Sequence, residues 1–330
     1  MPKEDVGRAG LVRASTLADL PSVPEVWALV SGKGGVGRSF LAANLGHLLA
    51  RDIGPVVLVD LDLRGADLHT FLGEATAQVG LDAFVHGGVG SLAELLVQSP
   101  IPGLAFVPGA VETPLRLTAR ERRRLEQAVR ALDTSRVLLD LPSGPDGALL
   151  DLFMTADRPL IVVVAEPAAV ENVHRFVRRV YLRVVSNRLR HTGVEAAERE
   201  NVEHAAAHLH PERLLGLVDR IQRGLAEQLR DDLEETTLYL VVNQVRHRSD
   251  EAVGVAIKNA VQSYFGISVR YVGAIPYDEE AWLSARRRRL HTREAEGDYL
   301  AERLEQVVAS VVEDVELEPS EEVPARLQLL

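Results

Sequence analysis

Ser31-Gly32-Lys33-Gly34-Gly35-Val36-Gly37-Arg38-Ser39-Phe40 is the stretch on which the reading of this chain turns. An apolar run, Val26 to Val30, leads into it. Leu41, Ala42, Leu45, Leu48 and Leu49 leave it at helical spacing. Strand, glycine-rich loop and helix, in that order, is the context in which a backbone cradles phosphate. Glycine lacks Cβ, so the loop can bend tightly and turn several N–H groups inward. The helix adds its unpaired N-terminal N–H groups and the positive end of its dipole. Ser39, read as the first helical residue, offers a hydroxyl suited to Mg²⁺.

With 330 residues the chain can bury one large core, or one core plus an insertion. A net charge of −11 gives no global attraction to nucleic acid or to an anionic membrane, so any such role falls to local basic clusters. The absence of cysteine excludes disulfides, thiolate zinc sites and cysteine-ligated iron–sulfur clusters. Met1 to Leu20 is polar and has no apolar signal-peptide region, and no apolar run reaches the length of a membrane span. A cytoplasmic location is expected.

Residues 1–24 read as a flexible leader that closes with Pro21 and Pro24. Strands are expected at Val26–Val30, Val56–Asp60, Leu104–Val107, Val137–Asp140, Leu160–Ala165, Leu238–Asn243 and Val269–Ile275. Most are short and valine-rich, as suits strands buried on both faces of a parallel sheet. Helical runs alternate with them, so the fold class is α/β: a doubly wound, mostly parallel sheet of seven or eight strands, with its ligand at the carboxyl ends of the strands. From Ala168 to about Glu235 no strand signal appears, and Pro211 precedes a helix expected at about Glu212 to Leu229. The domain is expected to span 25–313. A last helix is expected at about Asp298 to Val312. Residues 314–330 read as an acidic disordered tail.

Three further motifs sit at predicted strand ends. Val57-Leu58-Val59-Asp60-Leu61-Asp62 places two carboxylates at i and i+2, on one side of an extended chain. They suit phosphoryl transfer, which needs positioning and charge stabilisation, or else they cap the next element. Val137-Leu138-Leu139-Asp140-Leu141-Pro142-Ser143-Gly144 is a strand, a carboxylate and a turn. Val241-Val242-Asn243-Gln244-Val245 ends on an amide, which serves a ligand or a turn.

The early Lys33, directly after the first glycine, makes the loop resemble the deviant Walker A of the MinD/ParA family of ATPases, a branch of the SIMIBI-type P-loop NTPases. A family member needs only one helix where this chain has the long strand-free stretch, so the resemblance makes roughly 185–235 a helical insertion into the domain. The resemblance spans most of residues 26–290 outside the insertion, and its flavour is closest to MinD and its flagellar-number relative FlhG. It implies ATP and Mg²⁺ as cofactors, with Gly32, Lys33, Gly34, Gly35, Val36, Gly37, Arg38, Ser39 and Phe40 around the phosphates. Lys33 would reach across a homodimer to the partner's nucleotide. Asp62, in a segment Asp60–Gly73 similar to switch I, would orient the attacking water. Ser39, Asp60 and Asp140 would serve the metal, the carboxylates through water. Asn243 would hydrogen-bond adenine, and Pro276 and Asp278 would close over the base. The implied function is a dimerising ATPase that acts as a positioning switch and answers to a protein activator or cargo-linked partner. A DNA-partitioning ATPase and a slow ATP sensor are the alternatives. Arg38 departs from the family, which carries a second lysine there. A planar fork replaces a compact ammonium, so slowed turnover is expected.

His204, His208 and His210 lack a remaining ligand set and read as a solvated face. Arg120 with Arg122 to Arg124, and Arg286 to Arg289, are the clusters that would carry any binding to DNA.

Overall fold

Val26–Val30 forms the middle of β1 (Glu25–Ser31), the centre of an eight-stranded sheet. The computed structural model describes residues 23–62, 65–111, 116–145, 147–206, 208–295 and 297–318. The expected leader up to residue 22, Leu63 and Arg64 of the Asp60–Gly73 segment, and the tail from residue 319 lie outside the described residues. The other strands are β2 (Val56–Asp60), β3 (Val97–Gln98), β4 (Leu104–Val107), β5 (Arg136–Ser143), β6 (Arg158–Val164), β7 (Thr237–Val245) and β8 (Ser268–Pro276). Their order is β3-β4-β2-β5-β1-β6-β7-β8. Every pairing is parallel except β3 with β4. All five residues of β2 and the last six of β6 are buried, the double-sided burial that makes such strands continuously apolar. β3 is the addition to the expected set; two residues are too few to leave a periodic signal.

Helices cover both faces. α1 (Arg38–Asp52) follows the loop and buries Leu41, Ala42, Leu45, Leu48 and Leu49. After it come the short α2 (Leu68–Phe71) and α3 (Leu81–Val85), then α4 (Ala119–Arg130) and α5 (Gly147–Met154). α6 (Pro167–His191) starts with Pro167 in its first turn, where a missing N–H costs nothing, and buries Val173, Phe176, Val177, Val180 and Val184 along one face. Its valine-rich stripe is thus a packing face.

The expected insertion is resolved into α7 (Ala196–Ala206), α8 (Pro211–Ile221) and α9 (Leu225–Glu235). Its expected start at 185 falls inside α6, which continues without a break because Val185 and Leu189 keep the buried spacing. The single helix expected at 212–229 is two: Gln222 leaves helical geometry, and Gly224, at φ +84°, restarts the chain as the N-cap of α9. The insertion is packed. Val202, Leu215, Val218, Leu229 and Leu233 belong to the main hydrophobic core. Arg178 donates to the Ala206 carbonyl at 2.8 Å, Tyr181 to the Pro211 carbonyl at 3.3 Å, and Arg188 Nε to Asp232 at 2.5 Å. His210 caps α8 by accepting from the Glu212 N–H.

α10 (Arg248–Phe265), α11 (Glu279–Arg286), α12 (His291–Glu294) and α13 (Tyr299–Glu313) are the last helices among the described residues. Residues 314–318, expected in a loose tail, lie against the sheet edge. Leu317 N–H donates to Tyr271 of β8 at 2.9 Å, and the Asp314 carboxylate pairs with Arg270 at 2.7 Å and accepts from the Tyr239 hydroxyl. Among the described residues, no helix is long and apolar enough to cross a membrane.

Candidate nucleotide site

The glycine-rich loop lies at the carboxyl end of β1, and α1 starts at Arg38, one residue earlier than expected, so Ser39 is its second residue. Gly37 is the N-cap in the left-handed region, φ +82°, and a Cβ there would come within 2.5 Å of the Asn243 side-chain nitrogen. Gly32 is required for a different reason: a Cβ would meet the backbone of Asn172 in α6 at 2.8 Å. The loop is thus pinned on both sides by other elements.

Asn243, at the end of β7, donates its amide to the Val36 carbonyl at 2.7 Å, and Gln244 donates to the Gly35 carbonyl at 3.3 Å. In this chain Asn243 therefore buttresses the loop. Gln244 holds a left-handed backbone, φ 57°, to reach it.

Register brings the carboxylates together. Asp60 at the end of β2 lies opposite Asp140 of β5, the neighbouring strand. Both are buried. Asp60 accepts from the N–H groups of Asp62 and Leu68, each at 3.1 Å. Burial, reinforced by the nearby Asp140 charge, pushes the Asp60 carboxyl up to about 8 despite those two N–H groups. Asp140 accepts from Arg38 Nε through Oδ1, while its Oδ2 is buried without a hydrogen-bond partner among the described residues. Arg38 Nη2 also reaches Asp62 at 3.4 Å. Burial works against the Arg38 charge, but the carboxylates of Asp140, Asp62 and Asp60 outweigh it and hold the guanidinium above its ordinary value.

Lys33 is half exposed and pairs with Glu166 at 2.8 Å. Glu166, the N-cap residue of α6, is absent from the motif reading. Its one signal is position, a carboxylate at the carboxyl end of a predicted strand. Arg179 of the same helix donates to the Gly144 carbonyl at 3.0 Å, so α6 touches both the glycine loop and the turn after Asp140.

A cavity of about 500 Å³ opens beside these parts; Gly32, Lys33, Asp60 and Asp140 are not among the residues that line it. Gly34 to Phe40, Asp62, Asn243, Pro276 and Asp278 line it, joined by Phe71, which lies in the Asp60–Gly73 segment, and by Trp282, which carries no motif. Asp278 Oδ1 caps α11 by accepting from Glu280 N–H at 2.7 Å.

Part of each basic cluster makes internal contacts, while Arg120, Arg123 and Arg286 to Arg289 are exposed. Arg122 pairs with Glu126 at 2.8 Å, Arg124 donates to the Phe84 and Val89 carbonyls, and Arg289 pairs with Glu294 at 2.7 Å.

Comparison with known proteins agrees with this architecture. Residues 27–290 match the family profile of the CobQ/CobB/MinD/ParA nucleotide binding domain. A chromosome partitioning protein ParA of Caulobacter vibrioides is 30% identical over 165 residues, 47% of this chain and 61% of that protein. A septum site-determining protein MinD of Synechocystis is 29% identical over 153 residues, 45% of this chain and 56% of that one. An iron-sulfur cluster carrier protein of Deinococcus radiodurans is 46% identical over 69 residues, 21% of this chain and 20% of that protein. The chain thus spans less than two thirds of each of these relatives. Among solved structures, MinD of Pyrococcus horikoshii complexed with Mg-ADP superimposes with a TM-score of 0.58 at 17% identity, covering 87% of this chain and 96% of that one. MinD from the MinC:MinD complex of Aquifex aeolicus gives 0.56 at 18%, covering 90% and 98%. The eight-stranded, mostly parallel sheet is the fold of these MinD and ParA-type structures, and the chain belongs to the CobQ/CobB/MinD/ParA nucleotide-binding family.

Proposed function

We propose that this chain is a cytoplasmic ATPase switch. It binds ATP with Mg²⁺, pairs with a second copy, and hydrolyses ATP to ADP and phosphate to end the pairing. Its use is to place or count a cell structure, through a protein activator or cargo-linked partner. The observation that carries this reading is the convergence of Arg38, Asp62 and Asp140 beneath a glycine loop, with Ser39 and Asp60 beside them.

The donor set suits a hard cation. Asp140 Oδ2 is a buried carboxylate oxygen with no partner among the described residues, and the nearby Ser39 hydroxyl favours the ionised form of the same carboxyl. Ser39 would hold Mg²⁺ directly, and Asp140 and Asp60 through water, since this ion keeps several of its waters. When bound, it supplies charge neutralisation on the phosphates.

The remaining work belongs to the chain. Loop N–H groups and the start of α1 orient the triphosphate. Arg38, held by Asp140 and Asp62, presents its remaining N–H groups to phosphate oxygens. Asp62, less buried than Asp60 and Asp140, accepts from the attacking water and aligns it. Lys33 leaves Glu166 and crosses to the partner's phosphates.

Size-exclusion chromatography with ADP, and then with a non-hydrolysable ATP analogue, tests the switch. A dimer only with the analogue is expected, and Asp62→Ala should keep ATP binding while trapping that dimer. An unchanged monomer under both nucleotides, or wild-type hydrolysis by Asp62→Ala, refutes the reading.

A further inference from the structure

We propose that Trp282 is a base-stacking residue, and that with Phe40, Phe71 and Tyr277 it forms an aromatic wall for the purine of a bound nucleoside triphosphate. This rests on the reading of the glycine loop as a phosphate site.

The chain has two Trp residues with opposite placements. Trp27 is wholly buried in β1, whereas Trp282 is 54% exposed at the mouth of the cavity. A large aromatic left so open is a candidate for a ligand or partner contact. Aromatic residues are scarce, at 5% of the sequence, yet one Trp, one Tyr and two Phe line this one cavity. They come from four separate segments: α1, α2, the residue after β8, and α11. Phe40 and Phe71 meet edge to face, with ring centres 6.4 Å apart.

The lining is also of two kinds. Glycines, Arg38, Ser39 and Asp62 offer N–H groups and charge; Pro276, Ala281, Ala285 and the aromatic rings offer apolar surface. An anion alone would leave that apolar surface in water. A ligand with an anionic tail and a flat π-system satisfies both, and about 500 Å³ is a normal volume for such a ligand.

Two of the rings are held from the side. The Arg286 guanidinium sits 4.7 Å from the Trp282 ring centre, and that of Arg246 lies 3.9 Å from Tyr277. Cation–π contact fixes each ring before the ligand arrives, which lowers the ordering cost of binding. Two polar atoms of the lining are already engaged: the Asn243 amide nitrogen holds the loop, and Asp278 Oδ1 caps α11. Face contact therefore carries much of the base's affinity.

Calorimetric titration of the full-length protein with ATP and with inorganic triphosphate, both with Mg²⁺, tests this. Trp282→Ala should weaken ATP about tenfold, within the range of base–aromatic stacking, and leave triphosphate unchanged. Trp282→Phe should restore most of the ATP affinity. Emission gives a second readout: ATP should shift the fluorescence of exposed Trp282 to the blue, triphosphate should not, and Trp282→Phe should lose the response. Wild-type ATP affinity in Trp282→Ala overturns the stacking role, as does an equal loss for both ligands. Retained ATP affinity with lost ATP-dependent pairing also overturns it, and places Trp282 against a second copy. If the wild type binds neither ATP nor triphosphate, the phosphate reading falls as well; if it binds both and only the variants fail to differ, stacking alone falls.

Discussion

The side chain of Arg38, the first residue of α1, donates through Nε to Asp140 on β5, a strand that pairs directly with β1. Loop and carboxylate strand are therefore tied through one buried guanidinium, which also reaches Asp62 at 3.4 Å. Removing one partner of such a buried pair strands the other charge, typically at a cost of about 3–5 kcal/mol. The same residue thus serves the fold and lines the cavity, and substitutions there have to be separated into these two effects.

Lys33 offers a cleaner separation. Its pair with Glu166 is exposed on both sides, so it contributes between nothing and about 1 kcal/mol. Lys33→Ala should leave the thermal midpoint nearly unchanged, retain some nucleotide binding, and abolish the ATP-dependent dimer. Chromatography with a non-hydrolysable analogue decides: a mutant that dimerises like the wild type rules out a role for Lys33 across the interface.

Asp60 predicts a pH dependence. Its carboxyl is pushed up to about 8 in the folded chain, against about 3.9 when unfolded. Between these values the folded state holds a proton that the unfolded chain has released. Stability from this group is therefore greatest at low pH and falls as pH rises towards 8, by at most about 1.4 kcal/mol per unit. Above 8 both states are ionised and the loss levels off. Asp60→Asn, which cannot ionise, should flatten the fall of the thermal midpoint between about pH 5 and 8. Parallel curves for the two proteins would show that Asp60 is ionised throughout.

The parts of this fold that are legible in the sequence are those written by burial. β2 and β4 are found to the residue because each is a valine- or leucine-rich run closed on both sides by non-strand chemistry. The loop and its carboxylates are legible because glycine spacing and strand ends place them without reference to distant residues. What escapes is whatever the fold assembles from afar. Glu166 is an ordinary acidic residue until α6 brings it to Lys33, and Phe71 and Trp282 share a cavity only because α2 and α11 both border it. Asn243 shows a third limit: a strand-end amide predicts a hydrogen bond but not its partner, here the Val36 carbonyl.

Packing around α6 bears on the insertion. Excising 185–235 would remove the last turns of α6, including buried Val185 and Leu189, together with α9, whose Leu229 and Leu233 lie in the core. Excising only α7 and α8, between His191 and Gly224, spares these but removes Val202, Leu215 and Val218 of the same core, while a flexible linker of that span costs little closure entropy. The shorter deletion should therefore yield a protein that still folds and binds ATP with a lowered thermal midpoint, and the longer one should not fold. Circular dichroism and nucleotide titration check this. Failure of the shorter deletion to fold would make α7 and α8 indispensable to the core.

Turnover should respond most directly to Arg38→Lys. Lysine places a compact ammonium where arginine places a planar fork that prefers two parallel hydrogen bonds. In this chain the fork already spans Asp140 and Asp62, so it is held by the ground-state site. A group bound equally well before and during the reaction lowers no barrier. An ammonium, free of two-point geometry, can follow the γ-phosphoryl group as its charge redistributes. A gain of about 1.4 kcal/mol in the transition state alone would raise the rate roughly tenfold. Lysine keeps a positive charge near Asp140, so folding should survive, and a thermal midpoint measured alongside separates this from the structural effect. Slow basal hydrolysis in the wild type and faster hydrolysis in Arg38→Lys are expected in a single-turnover assay. If the lysine variant is folded and slower than the wild type, the loop is adapted to arginine and the idea of a built-in slow timer is refuted.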